Sequence, residues 1–87
     1  MAERAFVLIK TDYGVDDDIL VDQLKKIKGI SEAYRIYGIY DILVKIEAHT
    51  IEQIREVIGR KLKNIRNIKS TITMVAIPSG QVKIAGR

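Results

Sequence analysis

The chain has 87 residues, a net charge of +4, 47% hydrophobic but only 6% aromatic residues, and no cysteine. That length makes one domain with a thin aliphatic core, burying only about 60–65% of the surface its unfolded form exposes, and such a domain without staples gains burial by oligomerising. Disulfides, thiolate metal sites and cysteine nucleophiles are excluded; with no apolar leader and no run near ~18 apolar residues, a soluble, cytoplasmic protein is expected, with no membrane contact.

Charge is unevenly spread. Residues 1–49 carry 7 Lys/Arg against 9 Asp/Glu, a balance of −2, and residues 50–87 carry 8 against 2, a balance of +6, which sum to +4. A basic second half can attract nucleic acid by counterion release, although a lysine-rich helix face is more often only a solvated one.

Met1–Arg4 reads as a frayed end. Ala5–Ile9 is a continuous apolar run of strand length, the pattern of a strand central in its sheet and covered on both faces. After the turn Thr11-Asp12-Tyr13-Gly14, the acidic triplet Asp16-Asp17-Asp18 suits a helix N-terminus. Ile19, Leu20, Leu24 and Ile27 then recur on one helical face, and Gly29 suits the left-handed position that ends the helix. Ile30–Tyr37 alternates as a strand. Gly38 can open a two-residue type II′ hairpin that returns the chain as Tyr40–Ala48, with Ile42, Val44 and Ile46 on one face. Thr50 and Gln53 form a capping box for a second helix lined by Ile51, Ile54, Ile58, Leu62 and Ile65, which Asn67 ends as Gly29 ended the first. Ile68–Ile77 is the last strand, Pro78-Ser79-Gly80 breaks it, and residues 81–87 remain as a tail or an added edge strand beyond a domain spanning 1–80.

The two halves align at an offset of 38 residues: Phe6 over Val44, Leu8 over Ile46, Leu20 over Ile58, Leu24 over Leu62, Ile27 over Ile65, and Ile27-Lys28-Gly29-Ile30 over Ile65-Arg66-Asn67-Ile68. Two βαβ halves joined by a hairpin predict an α+β, ferredoxin-like βαββαβ fold, strand order 4-1-3-2, with both helices on one face. The other face, expected to carry Val7, Ile9, Leu43, Val75 and Ile77 or their neighbours, then needs a cover, most economically a second copy.

Catalytic chemistry is thinly represented. His49 is the single histidine and sits beside the capping Thr50; Ser31, Ser70 and Ser79 lack a nucleophile elbow; there is no glycine-rich phosphate loop and no paired metal ligand set, so neither an enzyme nor a metal or cofactor is expected. One constellation has binding chemistry: Tyr37, Gly38, Ile39, Tyr40 and Asp41 at the turn, with Ser70, Thr71 and Thr73 on the last strand. A free α-amino acid asks for an acceptor for its ammonium, donors for its carboxylate and an apolar wall. Asp41 as a cap on turn amides, and Thr71 and Thr73 as ordinary strand residues, are the competing structural readings. The hairpin and last strand are not adjacent in this topology, so the groups are expected to converge across an interface between copies.

Gly38-Ile39-Tyr40-Asp41 after an Ala-Tyr-x-x-Tyr strand, followed by Ile68-Lys69-Ser70-Thr71-x-Thr73, resembles the effector domain of the Lrp/AsnC transcription regulators, the module named for regulation of amino acid metabolism (RAM), over residues ~4–78. The resemblance implies dimers through the sheet face, dimers assembling into octamers or similar rings, and amino-acid effectors held between dimers. Tyr37, Gly38, Tyr40 and Asp41 would then belong to the effector loop, with Thr71 and Thr73 on the facing wall. Regulators of this family carry an N-terminal helix-turn-helix, whereas this chain begins at its first strand. A stand-alone module or excised domain is therefore expected, acting through a full-length Lrp/AsnC-type partner with no direct DNA contact. The alternative from another class is an RNA- or DNA-binding ferredoxin-like module using the basic second half. Against it, the strand Asp41–Ala48 lacks the aromatics on which such modules stack bases.

Overall fold

Ala5, Val7 and Ile9 are wholly buried while Phe6, Leu8 and Lys10 between them are only half-buried, so the first apolar run is a strand with one face on the core. The computed structural model describes residues 3–77. They form β1 (Glu3–Thr11), α1 (Asp17–Lys25), β2 (Ile30–Arg35), β3 (Ile42–Ala48), α2 (Ile51–Glu56) and β4 (Ile68–Ala76), with a π-helical stretch, Val57–Leu62, continuing α2. The sheet is antiparallel in the order β2-β3-β1-β4, the ferredoxin-like arrangement expected from the sequence. Residues 78–87, including the Pro78-Ser79-Gly80 break and the 81–87 tail, lie outside the described residues.

Local signals explain the helix boundaries. The Asp16 carboxylate accepts from the backbone N–H groups of Asp18 and Ile19 at 3.0 and 3.3 Å, satisfying two donors that a helix start leaves unpaired. Thr50 and Gln53 form the expected reciprocal capping box. Gly29 and Asn67 both have positive φ, 104° and 73°, and each turns the chain from a helix into the next strand.

Several expectations are corrected. Glu3 and Arg4 are not frayed but pair with Ala48 and Glu47 in the sheet. On α1 the buried stripe is Leu20, Val21 and Leu24, with Ile19 turned outward. The β2–β3 connection is not a two-residue hairpin. The strands stop at Arg35 and resume at Ile42, and the six residues between close through an Ile36 N–H to Asp41 C=O bond of 3.0 Å. Gly38 there has φ +144°, which its missing Cβ permits.

The open face also differs from expectation. Register places Val7 and Ile9 beneath the helices, with Thr73 and Thr71 opposite them on β4, and Val75 on that same side. The uncovered face instead carries Phe6, Leu8, Leu43, Ile72 and Met74, with Leu8 flanked directly by Leu43 and Ile72. Beside this apolar patch runs a chain of polar contacts across three strands. Tyr34 Oη donates to Glu32 at 2.6 Å, Lys45 lies 3.6 Å from Glu32 and 3.9 Å from Glu47, and Arg4 lies 3.4 Å from Glu47. The Tyr34 hydroxyl, and after it Lys45, hold the Glu32 carboxyl below its ordinary range. The strand β4 is exposed along nearly its whole length, because the helices do not reach over it.

The internal repeat holds, with one change of register. Up to Val57, the first residue of the π-helical stretch, the buried positions match at an offset of 37: Ala5 with Ile42, Val7 with Val44, Ile9 with Ile46, Leu20 with Val57. From Leu62, its last residue, equivalent positions match at 38: Leu24 with Leu62, Ile27 with Ile65, Gly29 with Asn67. A single offset of 38 therefore pairs the half-exposed Phe6 and Leu8 with the buried Val44 and Ile46. The added residue is absorbed in the wide turn, where Val57 and Leu62, five apart, both face the core.

Candidate functional site

The loop 36–41 is fastened over the end of β1 rather than left free. The Asp41 backbone N–H donates to the Ile9 C=O at 2.9 Å, and Lys10 Nζ donates to the Ile39 C=O at 2.9 Å. Asp41 Oδ2 accepts from the Thr11 N–H at 2.9 Å, lies 3.1 Å from Thr11 Oγ1, and sits 3.8 Å from Lys10 Nζ. A register shift in the β1–β4 pairing between Lys10 and Thr11 marks this place, as irregularities that re-aim side chains often do. The bond from the Thr11 amide and hydroxyl, supported by Lys10, holds the Asp41 carboxyl below its ordinary value against the opposing effect of burial. Lys10 and Thr11 were not singled out from the sequence. Their only signal was that an apolar strand ends in a cation and a hydroxyl.

The fastening leaves the loop tip projecting. Tyr37 is 100% and Ile39 81% exposed, while Tyr40 is half-buried. Ser70 pairs with Lys10 on β1, so within one subunit the Lys10 side chain stands between Ser70 and the loop it clasps. Thr71 and Thr73 lie on the opposite, helix-side face of β4, across from Ile9 and Val7. Ser70 and Thr71 also rim a cleft of about 250 Å³ between the π-helical stretch and β4, floored by Ile58, Leu62, Ile65 and Ile68. The expected site residues thus form two groups, the loop and the β4 set, with β1 between them. Among the described residues no group of three or more His, Cys, Asp or Glu side chains is gathered as for a metal. His49 uses its backbone N–H to bond Gln53 Oε1 at 2.9 Å, as part of the helix cap.

The family model of the Lrp/AsnC ligand binding domain matches residues 4–83. The chain belongs to the Lrp/AsnC ligand-binding domain family. An HTH-type transcriptional regulator of Pyrococcus furiosus is 35% identical over 78 residues, covering 87% of this chain and 52% of that protein. The chain spans about half the length of the curated regulators it matches. A solved protein of Pyrococcus horikoshii, 34% identical, superposes with a TM-score of 0.79 over 88% of this chain and 90% of that one. AsnC of Escherichia coli, 25% identical, also gives 0.79, over 98% of this chain and 55% of its own. A segment forming 15% of the homocitrate synthase of Sulfolobus acidocaldarius is 30% identical over 73 residues, 84% of this chain.

In this Lrp/AsnC domain the Asp41 carboxylate has a definite structural partner, the amide of Thr11, a residue only 9% exposed. Removing the acceptor leaves that donor buried and unpaired, so Asp41→Ala should cost about 1–3 kcal/mol of folding stability. Because the folded-state pKa is depressed, the contribution of Asp41 is full above the unfolded carboxylate value near 4 and is lost as pH falls through the lower folded value. Urea titrations from pH 7 down to pH 2.5 check this. The wild type should lose part of its advantage over Asp41→Asn below about pH 4, and a constant difference across that window would show that the carboxylate charge contributes nothing.

Proposed function

We propose that this domain is the effector-sensing part of an amino-acid-responsive transcription regulator, working as an assembly of copies. The loop 37–41 of one copy, with Tyr37, Gly38, Ile39, Tyr40 and Asp41, meets Ser70, Thr71 and Thr73 of a neighbour and encloses the effector between them. What carries this reading is the ligand-binding family match over residues 4–83. The geometry supports it in three ways. The loop tip projects Tyr37 and Ile39 into solvent. The β4 cleft offers hydroxyl donors over an aliphatic floor, the mixture an apolar amino acid requires. Asp41 Oδ2 is committed to Thr11, and Asp41 Oδ1 has no bond among the described residues, which leaves it as an acceptor for an ammonium group.

The surface that the fold leaves bare supports self-association. A second copy packed sheet to sheet would cover Phe6, Leu8, Leu43, Ile72 and Met74, and β4, uncovered on both sides, would extend the contact. Assembly of such dimers into an octamer or similar ring would bring loops beside neighbouring β4 strands, and a full-length Lrp/AsnC-type regulator would be the partner through the same surfaces. Similarity to part of homocitrate synthase as well as to regulators favours a sensing role separable from both DNA reading and catalysis. Nucleic-acid binding by the sheet is disfavoured, because Phe6 faces Lys45 and Tyr34 is tied to Glu32, with the Glu32–Lys45–Glu47 chain between the two rings.

Calorimetric titration with each common amino acid tests the site. At least one should bind the wild type, and Ser70→Ala with Thr71→Val should weaken it by about tenfold or more, the worth of one or two hydrogen bonds, with the assembly unchanged. Unaltered affinity in that double variant would remove β4 from the site.

A further inference from the structure

At the end of the sheet where β3 meets α2, a separate cleft of about 480 Å³ opens between the turn after α1, the end of β3 and the beginning of the π-helical stretch. Its origin lies in the extra residue of the second repeat. Were α2 to continue with α-helical spacing, position 61, seven residues or two turns after the buried Ile54, would face the core, and it is a lysine. The wider turn brings Leu62 into that place, where it is 1% exposed, and moves Lys61 to the cleft wall. There Lys61 Nζ donates to the Lys28 C=O at 3.3 Å. The facing wall is equally fixed: the Gly29 C=O accepts from the Glu47 N–H at 2.9 Å, and Gly29 lies so close to Val57 that a Cβ on it would meet Val57 Cγ2 at 2.8 Å. The cleft is therefore preformed, and a π-helical turn in a structural element is a common mark of a functional place.

The charges on its walls select the ligand. The carboxylates already have cations: Glu47 has Arg4 at 3.4 Å and Lys45 at 3.9 Å, and Glu56 has Arg60 at 3.6 Å. The Gln53 side-chain oxygen is occupied by the helix cap, accepting from the His49 and Thr50 N–H groups, while its amide N–H₂ has no partner among the described residues. Among the described residues, the side chains of Lys28 and His49 have no partner, and Lys61 uses one of its three protons on a neutral carbonyl. The uncommitted groups are thus two ammonium ions, an imidazole and the Gln53 amide N–H₂ above the small apolar surfaces of Gly29, Ala48 and Val57. They favour an anion, while the nearby Glu47 and Glu56 disfavour a compact dianion. We propose that this cleft is a second ligand site, for a small organic monocarboxylate, at the opposite end of β3 from the loop 36–41.

Calorimetry on the full chain at neutral pH tests it, using sodium pyruvate as probe, with inorganic phosphate and sodium chloride of matched ionic strength alongside. Pyruvate should bind saturably and better than the other two. Lys61→Met, which keeps the aliphatic stem, should weaken it by about tenfold or more, Lys61→Arg should retain it, and the loop-tip variant Tyr37→Ala should leave it unchanged. Circular dichroism confirms that each variant is folded. Heats no larger than those of chloride, tighter binding of phosphate, or an unchanged Lys61→Met would each overturn the proposal. Loss of pyruvate binding in Tyr37→Ala would place the ligand at the loop and overturn it as well. None of these outcomes bears on the amino-acid titrations of the Ser70 and Thr71 variant.

Discussion

Replacing Gly29 by alanine is expected to destabilise the domain by about 2–5 kcal/mol, a fall in Tm of roughly 10–40 °C for a chain of this size. Two costs add. At φ +104° any Cβ is strained, about 1–2 kcal/mol. The new methyl would also stand 2.8 Å from Val57 Cγ2, a side chain that is itself 5% exposed and locked between the helix and sheet, so relief requires overpacking worth about 1–3 kcal/mol. The two are separable by urea denaturation of Gly29→Ala in a Val57→Ala background, where the steric part should vanish and the backbone part remain. A Gly29→Ala midpoint equal to the wild type's would show that the turn yields freely and that the cleft beside it is not preformed. Gly38, with nothing within 4 Å of its would-be Cβ, should tolerate alanine better than Gly29 does, the strain of its φ being the single cost.

The second large effect concerns the open face. Leu8 is half-buried in the single chain, flanked by Leu43 and Ile72, and it lies at the centre of the surface that a second copy would cover. Leu8→Glu should leave the fold intact, since a carboxylate there still reaches water in the monomer. In a symmetric dimer it would bury two unpaired charges against apolar side chains, and the association should weaken by a thousandfold or more, about 4 kcal/mol. Ile19→Glu is the matched control, because Ile19 is 61% exposed on α1, away from that face, and should leave the assembly unchanged. Sedimentation velocity of both variants distinguishes the outcomes; equal behaviour of Leu8→Glu and Ile19→Glu would exclude the sheet face as the interface.

How much of this was legible in the sequence depended on whether a feature was local. Caps and stops are local, and Asp16, Thr50, Gln53, Gly29 and Asn67 act as their residue types and spacing indicate. The fold followed from the repeat, because matching turns at Gly29 and Asn67 survive a one-residue slip. What that slip concealed was which strand residues face the helices: the period of a strand is two, so an offset wrong by one moved Val7 and Ile9 to the wrong side. The slip is itself the π-helical turn, for which the sequence held one sign, a lysine at position 61 where an α-helix needs an apolar residue. The turn Gly38–Asp41 was recognised as a special place, but its geometry is set by Lys10 and Thr11 some thirty residues away, and no local pattern reports such a partner. The separation of Ser70 from Thr71 and Thr73 onto opposite faces is a consequence of strand alternation and was available from the start.

Assembly is the premise on which the sensing role rests, since neither the loop nor β4 encloses a ligand within one subunit. Light scattering of the intact protein at several concentrations, with and without each common amino acid, tests it most directly. An even multiple of the 9.9 kDa chain mass, shifted by at least one amino acid, is the predicted result. A species of 9.9 kDa that persists at high concentration, whatever amino acid is added, would contradict it.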